Sequence, residues 1–82
     1  GEIDIIAKES NCIVFIEVKY RAKGESDALS AVDYSKQRKI SRVALTYITR
    51  HRLSEYTPYR FDVIAVTDDG CSLIRNAFDY IP

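Results

Sequence analysis

The residues best suited to chemistry are Glu17 and Lys19, with Asp4 a short way upstream. They sit in the run Val14-Phe15-Ile16-Glu17-Val18-Lys19, which is apolar up to the acid. In an extended strand, alternation puts Glu17 and Lys19 on one side while Val18 points away. Two carboxylates beside an amine make a hard-oxygen site for Mg²⁺ or Mn²⁺, with the Val18 carbonyl as a further candidate ligand. Such a site suits phosphodiester hydrolysis. The metal polarises a phosphoryl oxygen and makes hydroxide available near neutral pH, while the lysine orients the water or offsets charge on the phosphorane. A Glu-x-Lys pair alone is also an ordinary strand end, so the chemistry requires Asp4 to converge on it.

Convergence is a question of register. Residues 3–8 and 12–19 read as two strands around the polar turn Glu9-Ser10-Asn11. If paired residues sum to twenty-one, Asp4 faces Glu17; if they sum to twenty, Asp4 lies beside Ile16 and Glu17 turns to the other side. Residues 20–35 form a long, mostly polar connection with Gly24 near its start. The spacing of Ile40, Val43, Ala44, Tyr47 and Ile48 predicts a helix over 36–51, with Ser35 as N-cap and Arg50, His51 and Arg52 at its negative end. Strands over 59–66 and 71–75 follow, joined by Thr67-Asp68-Asp69-Gly70.

The expected order is β-β-α-β-β, with the helix as a right-handed crossover between parallel strands two and three of a mixed α/β sheet. Strand two is apolar at both parities, so both sheet faces need a cover. One long helix covers only one. A segment ahead of Gly1, or a second copy forming a homodimer, is the expected cover for the other.

The chain of 82 residues is 46% hydrophobic and 29% charged, the composition of one globular domain spanning 1–82. No apolar run approaches the roughly 18 residues of a membrane span, and no signal-peptide pattern opens the chain, so a cytoplasmic protein without membrane contact is expected. Twelve bases against twelve acids give no net charge, yet the distribution is uneven. The start is acidic, whereas Lys19, Arg21 and Lys23, and then Lys36, Arg38, Lys39, Arg42, Arg50 and Arg52, fall in stretches without acids. That polarity points to DNA.

The helical stripe carried one turn back from Ile40 reaches Lys36 and Gln37, which would face the sheet near Glu17 and Lys19. Snorkelling of Lys36 along the sheet edge is the plainer alternative. Arg38, Lys39 and Arg42 face outward, either toward a phosphate backbone or as a solvated surface. Cys12 and Cys71 belong to no metal-binding cluster and read as reduced, buried thiols. His51 reads as a packing or capping residue, and Asp62 as the partner of an arginine rather than a third site carboxylate. Tyr20 lies close enough to the acids to touch a base or sugar.

The segments Gly1-Glu2-Ile3-Asp4-Ile5-Ile6-Ala7, Val14-Phe15-Ile16-Glu17-Val18-Lys19-Tyr20-Arg21, Lys36 at the helix start, Arg60-Phe61-Asp62-Val63 and Arg75-Asn76-Ala77-Phe78 resemble the bacterial YraN family. That family is similar to Holliday-junction resolvases, of the PD-(D/E)XK or restriction-endonuclease-like fold. The resemblance implies that Asp4 and Glu17 are the metal-binding carboxylates and Lys19 the catalytic lysine. It also implies that Lys36 is the polar residue of the following helix. The family carries a helix, and usually a strand, ahead of the Gly-Glu-Ile-Asp segment, with an acid on that helix; the expectation here is a domain without them. Tyr20 stands where the family more often has threonine.

The expected function is that of a metal-dependent nuclease, a Mg²⁺-dependent endonuclease acting on branched or structured DNA. Asp4, Glu17 and the Val18 carbonyl would hold the ion, and Arg21, Lys23, Lys36, Gln37, Arg38, Lys39 and Arg42 would contact nucleic acid. Two rivals stand beside it: a nucleic-acid-binding domain with the fold but no turnover, and a structural domain that binds a protein.

Overall fold

Strand β2, Cys12–Tyr20, forms the middle of the sheet, with β1 (Ile5–Glu9) antiparallel on one side and β3 (Tyr59–Thr67) parallel on the other. Strand β4, Gly70–Phe78, closes the sheet against β3, so the order is β1-β2-β3-β4. This arrangement comes from a computed structural model that describes residues 3–82; Gly1 and Glu2, the start of the Gly1–Ala7 segment, lie outside the described residues. The mixed α+β architecture and the parallel β2–β3 crossover agree with the sequence reading.

The crossover holds two helices, α1 (Glu25–Ala31) and α2 (Tyr34–Arg50), where one was expected. The segment read as loop therefore contains a short helix. Its first turn carries Glu25 and Asp27, matching the positive end of the helix dipole, and Ala28 and Val32 turn inward at i, i+4 spacing. The start of α2 also differs. Asp33, not Ser35, is its N-cap, and the Asp33 carboxylate accepts the Lys36 N–H at 2.9 Å.

Both helices pack on the sheet face that presents Ile13, Phe15, Phe61, Val63 and Ala65. Ala28, Val32, Ile40 and Ala44 complete this core, and Tyr47 meets the Phe15 ring edge-on at 5.8 Å. Fully burying a side chain such as Phe15 stabilises the fold by about 1.5–3 kcal/mol. The other face carries Val14, Ile16, Val18, Ile64, Val66 and Leu73, and among the described residues no helix belongs to it. Among the described residues, too, no helix is long and apolar enough to cross a membrane.

Two further expectations need correcting. Strand β4 runs to Phe78 instead of ending at Arg75, because a register shift opposite Phe61 and Val63 absorbs Asn76, whose φ is 51°. Cys71 is exposed, not buried, because it follows Gly70 at the mouth of the β3–β4 hairpin; Cys12 is half-buried, and both thiols are free.

Candidate functional site

The β1–β2 register runs from Glu9↔Cys12 to Ile5↔Ile16, and one step further sets Asp4 opposite Glu17. A two-residue turn, Ser10-Asn11, fixes it, with Ser10 at φ 54° giving the twist a tight hairpin needs. Asp4 lies just before β1, and its Oδ2 accepts the Val18 N–H at 2.8 Å. Parity explains that bond. The Ile13 and Arg21 N–H groups donate toward the β3 side, to Pro58 and Val66 carbonyls at 2.9 Å. The Val18 N–H and C=O therefore point to the opposite edge, where β1 has not yet begun. The Asp4 carboxylate supplies the partner that a longer strand would have provided.

Glu17 is only 4% exposed. Its Oε2 lies 3.1 Å from the Lys36 ammonium and 3.4 Å from that of Lys19. A carboxylate so deep needs counter-charge, and two cations from different elements provide it. Asp4 is held below its ordinary value of 3.8, chiefly by the hydrogen bond it accepts from the Val18 N–H. Partial burial opposes this, while the charges of Lys19 and Lys36 add to it. Two acids and two amines thus form one neutral cluster at the end of β2.

Lys36 reaches the cluster because α2 begins above the C-terminal end of β2, with Lys36 in its first turn on the Ile40 side. Its ammonium forms an ion pair and does not merely snorkel. Gln37 is engaged elsewhere: its amide donates to the Val32 carbonyl at 2.9 Å and ties α2 to the end of α1. The Arg21 guanidinium donates to the Tyr20 carbonyl at 2.7 Å. Lys23 is exposed just before Gly24, and Arg38, Lys39 and Arg42 are exposed on the outer side of α2. The Tyr20 hydroxyl bonds to Asp68 in the β3–β4 turn.

Asp62 belongs to the opposite sheet face. It is 1% exposed, accepts the Arg60 Nε–H at 3.0 and 3.1 Å, and also accepts the Asn76 N–H at 2.9 Å. Asp62, followed by Glu9, pushes the Arg60 guanidinium above its ordinary value. Arg75 joins through Glu9 at 3.1 Å. The expectation of an arginine partner for Asp62 holds, and the wider network was not anticipated, since Glu9 and Arg75 are remote in sequence. His51 caps the end of α2, its Nδ1 lying 3.0 Å from the Tyr47 carbonyl while its ring stacks on Tyr47.

The donor set can be tested against a divalent ion. Asp4 and Glu17 face each other across the hairpin register, and the Val18 carbonyl points to the same open edge. Among the described residues no group of three or more His, Cys, Asp or Glu side chains gathers. Two carboxylates and a carbonyl suit Mg²⁺, which keeps several waters and uses few protein ligands.

A family model described as "Uncharacterised protein family UPF0102" matches residues 1–66, which include Asp4, Glu17, Lys19 and Lys36. The chain belongs to that family. A UPF0102 protein of Lachnoclostridium phytofermentans is 46% identical over 80 residues, covering 96% of this chain and 68% of the relative. One from Thermodesulfovibrio yellowstonii is 48% identical over 79 residues, 95% of this chain and 69% of the relative. One from Shewanella amazonensis is 40% identical over 79 residues, 95% of this chain and 71% of the relative. UPF0102 membership agrees with the YraN resemblance.

Proposed function

We propose that this chain is the core of a Mg²⁺- or Mn²⁺-dependent nuclease that hydrolyses phosphodiester bonds in DNA, branched or structured DNA included. The observation that carries this reading is that Asp4 and Glu17 face each other from adjacent β-segments, with the Lys19 and Lys36 ammoniums 3.4 and 3.1 Å from Glu17. Asp4, Glu17 and the Val18 carbonyl would hold the ion. When bound, it would polarise a phosphoryl oxygen and acidify a water ligand. The Val18 N–H keeps Asp4 aimed at the cluster, and Lys19 is positioned to orient the attacking water or offset charge on the phosphorane. Lys23, Arg38, Lys39 and Arg42 offer exposed charge for a phosphate backbone. Free thiols and a DNA substrate fit a cytoplasmic protein.

The test is DNA cleavage by the full-length protein with Mn²⁺. Wild type should nick or cut, and Asp4→Ala and Lys19→Ala should not. Equal cleavage by all three overturns the assignment.

A second reading has its own support. Glu17 is already neutralised by two lysines, so the cluster is complete as a purely structural feature. A DNA-binding domain without turnover would show salt-sensitive affinity that survives loss of Asp4 or Glu17. For the apolar sheet face, where Leu73 is 48% exposed, the proposed cover is a second copy; a purely monomeric mass by light scattering at high concentration would exclude it.

A further inference from the structure

We infer that Lys36 is a displaceable latch: its ammonium holds the place of the divalent ion on Glu17 and must leave when that ion binds, which frees it for a phosphate. This rests on the metal-site reading above and adds a regulatory step to it.

Both lysines contact one oxygen, Glu17 Oε2, and they are not equivalent. Lys19 lies on the same strand as Glu17, and its side chain is 20% exposed. Lys36 comes from another element and is 37% exposed, with solvent into which its stem can swing. Its backbone is fixed, because the Lys36 N–H is bonded to Asp33 at 2.9 Å. Only the four-carbon stem needs to move.

Charge counting gives the motion a direction. Two acids and two ammoniums balance, so a divalent ion added beside both lysines leaves two surplus positive charges around Glu17, which is itself buried. Expelling Lys36 relieves half of that surplus. An arriving phosphodiester then supplies negative charge to the ion and to the released ammonium. Metal and DNA should therefore strengthen each other's binding, each favouring the state with Lys36 turned outward.

The test is titration of Mn²⁺ alone into the full chain, with free Mn²⁺ read by electron paramagnetic resonance. The variants are wild type, Lys36→Met, Lys36→Arg and Glu17→Gln. Removing the competing charge should tighten Mn²⁺ binding about tenfold in Lys36→Met, whereas Lys36→Arg should stay near wild type and Glu17→Gln should bind weakly. Affinity in Lys36→Met that is unchanged or weaker, with wild type still binding, overturns the latch and leaves the metal site standing. No Mn²⁺ uptake by wild type or Lys36→Met overturns the metal site and the latch with it. Circular dichroism and urea midpoints check that each variant is folded, and Lys36→Gln replaces Lys36→Met should the latter fail.

Discussion

Asp4 accepts the Val18 N–H at 2.8 Å, so a carboxylate completes the edge of β2 beyond the point where β1 begins. The carboxyl is held below its ordinary 3.8 first by that bond. A carboxylate with a depressed folded-state value contributes stability that is present above the unfolded value and lost as pH falls through the folded one. Asp4→Asn should therefore be less stable than wild type at pH 7. The gap in urea midpoints should hold down to about pH 5 and close as the pH drops below 4. A gap that is constant down to pH 2 would contradict the bond's role.

Asp62 should matter for folding and not for cleavage. It is 1% exposed and holds Arg60 and the Asn76 N–H on the face opposite Glu17. Asp62→Ala leaves the Asn76 N–H without its acceptor and the Arg60 guanidinium with Glu9 alone, so the variant should unfold at a clearly lower urea midpoint. Folded Asp62→Ala at low temperature should cut DNA at the wild-type rate. Loss of cutting in well-folded protein would make Asp62 part of the site.

Asp33 links the helix to the cluster. Asp33→Ala removes the N-cap of α2 at about 1 kcal/mol, and it loosens the turn that carries Lys36. Asp33→Ser should restore stability, since serine caps about as well. Chemical denaturation of the three proteins measures both effects.

The outer side of α2 should set affinity without setting chemistry. Arg38, Lys39 and Arg42 are exposed there and make no ion pair among the described residues. Replacing all three with glutamine should lower the slope of log affinity against log salt by roughly two to three for duplex DNA, while the cleavage rate at saturating DNA changes little. An unchanged slope would move the contact surface elsewhere.

Much of this was legible beforehand because it depends on alternation. Parity puts Glu17 and Lys19 on one side, but the turn Glu9-Ser10-Asn11 leaves two registers open in the sequence, and only the observed Glu9↔Cys12 pair sets Asp4 opposite Glu17. Lys36 was legible as a position on the helical stripe. Its ion pair was not, because a long flexible stem reaches either a carboxylate or solvent from the same Cα. Helix α1 escaped because seven residues give barely two turns of periodicity within a polar stretch. Without α1 the sequence offers Gln37 no Val32 carbonyl, so a nucleic-acid contact is expected where the structure has a tie between helices. The Asn76 irregularity is a backbone event with no side-chain period to announce it.

The hairpin carrying Asp4, Glu17 and Lys19 is local in sequence, whereas Lys36 arrives only with the long parallel crossover. Hairpins close within microseconds, and distant parallel pairings are slow to form. A chain emerging from synthesis would thus hold its acid pair before its second cation. During that interval any ion in the surroundings meets two carboxylates guarded by a single amine.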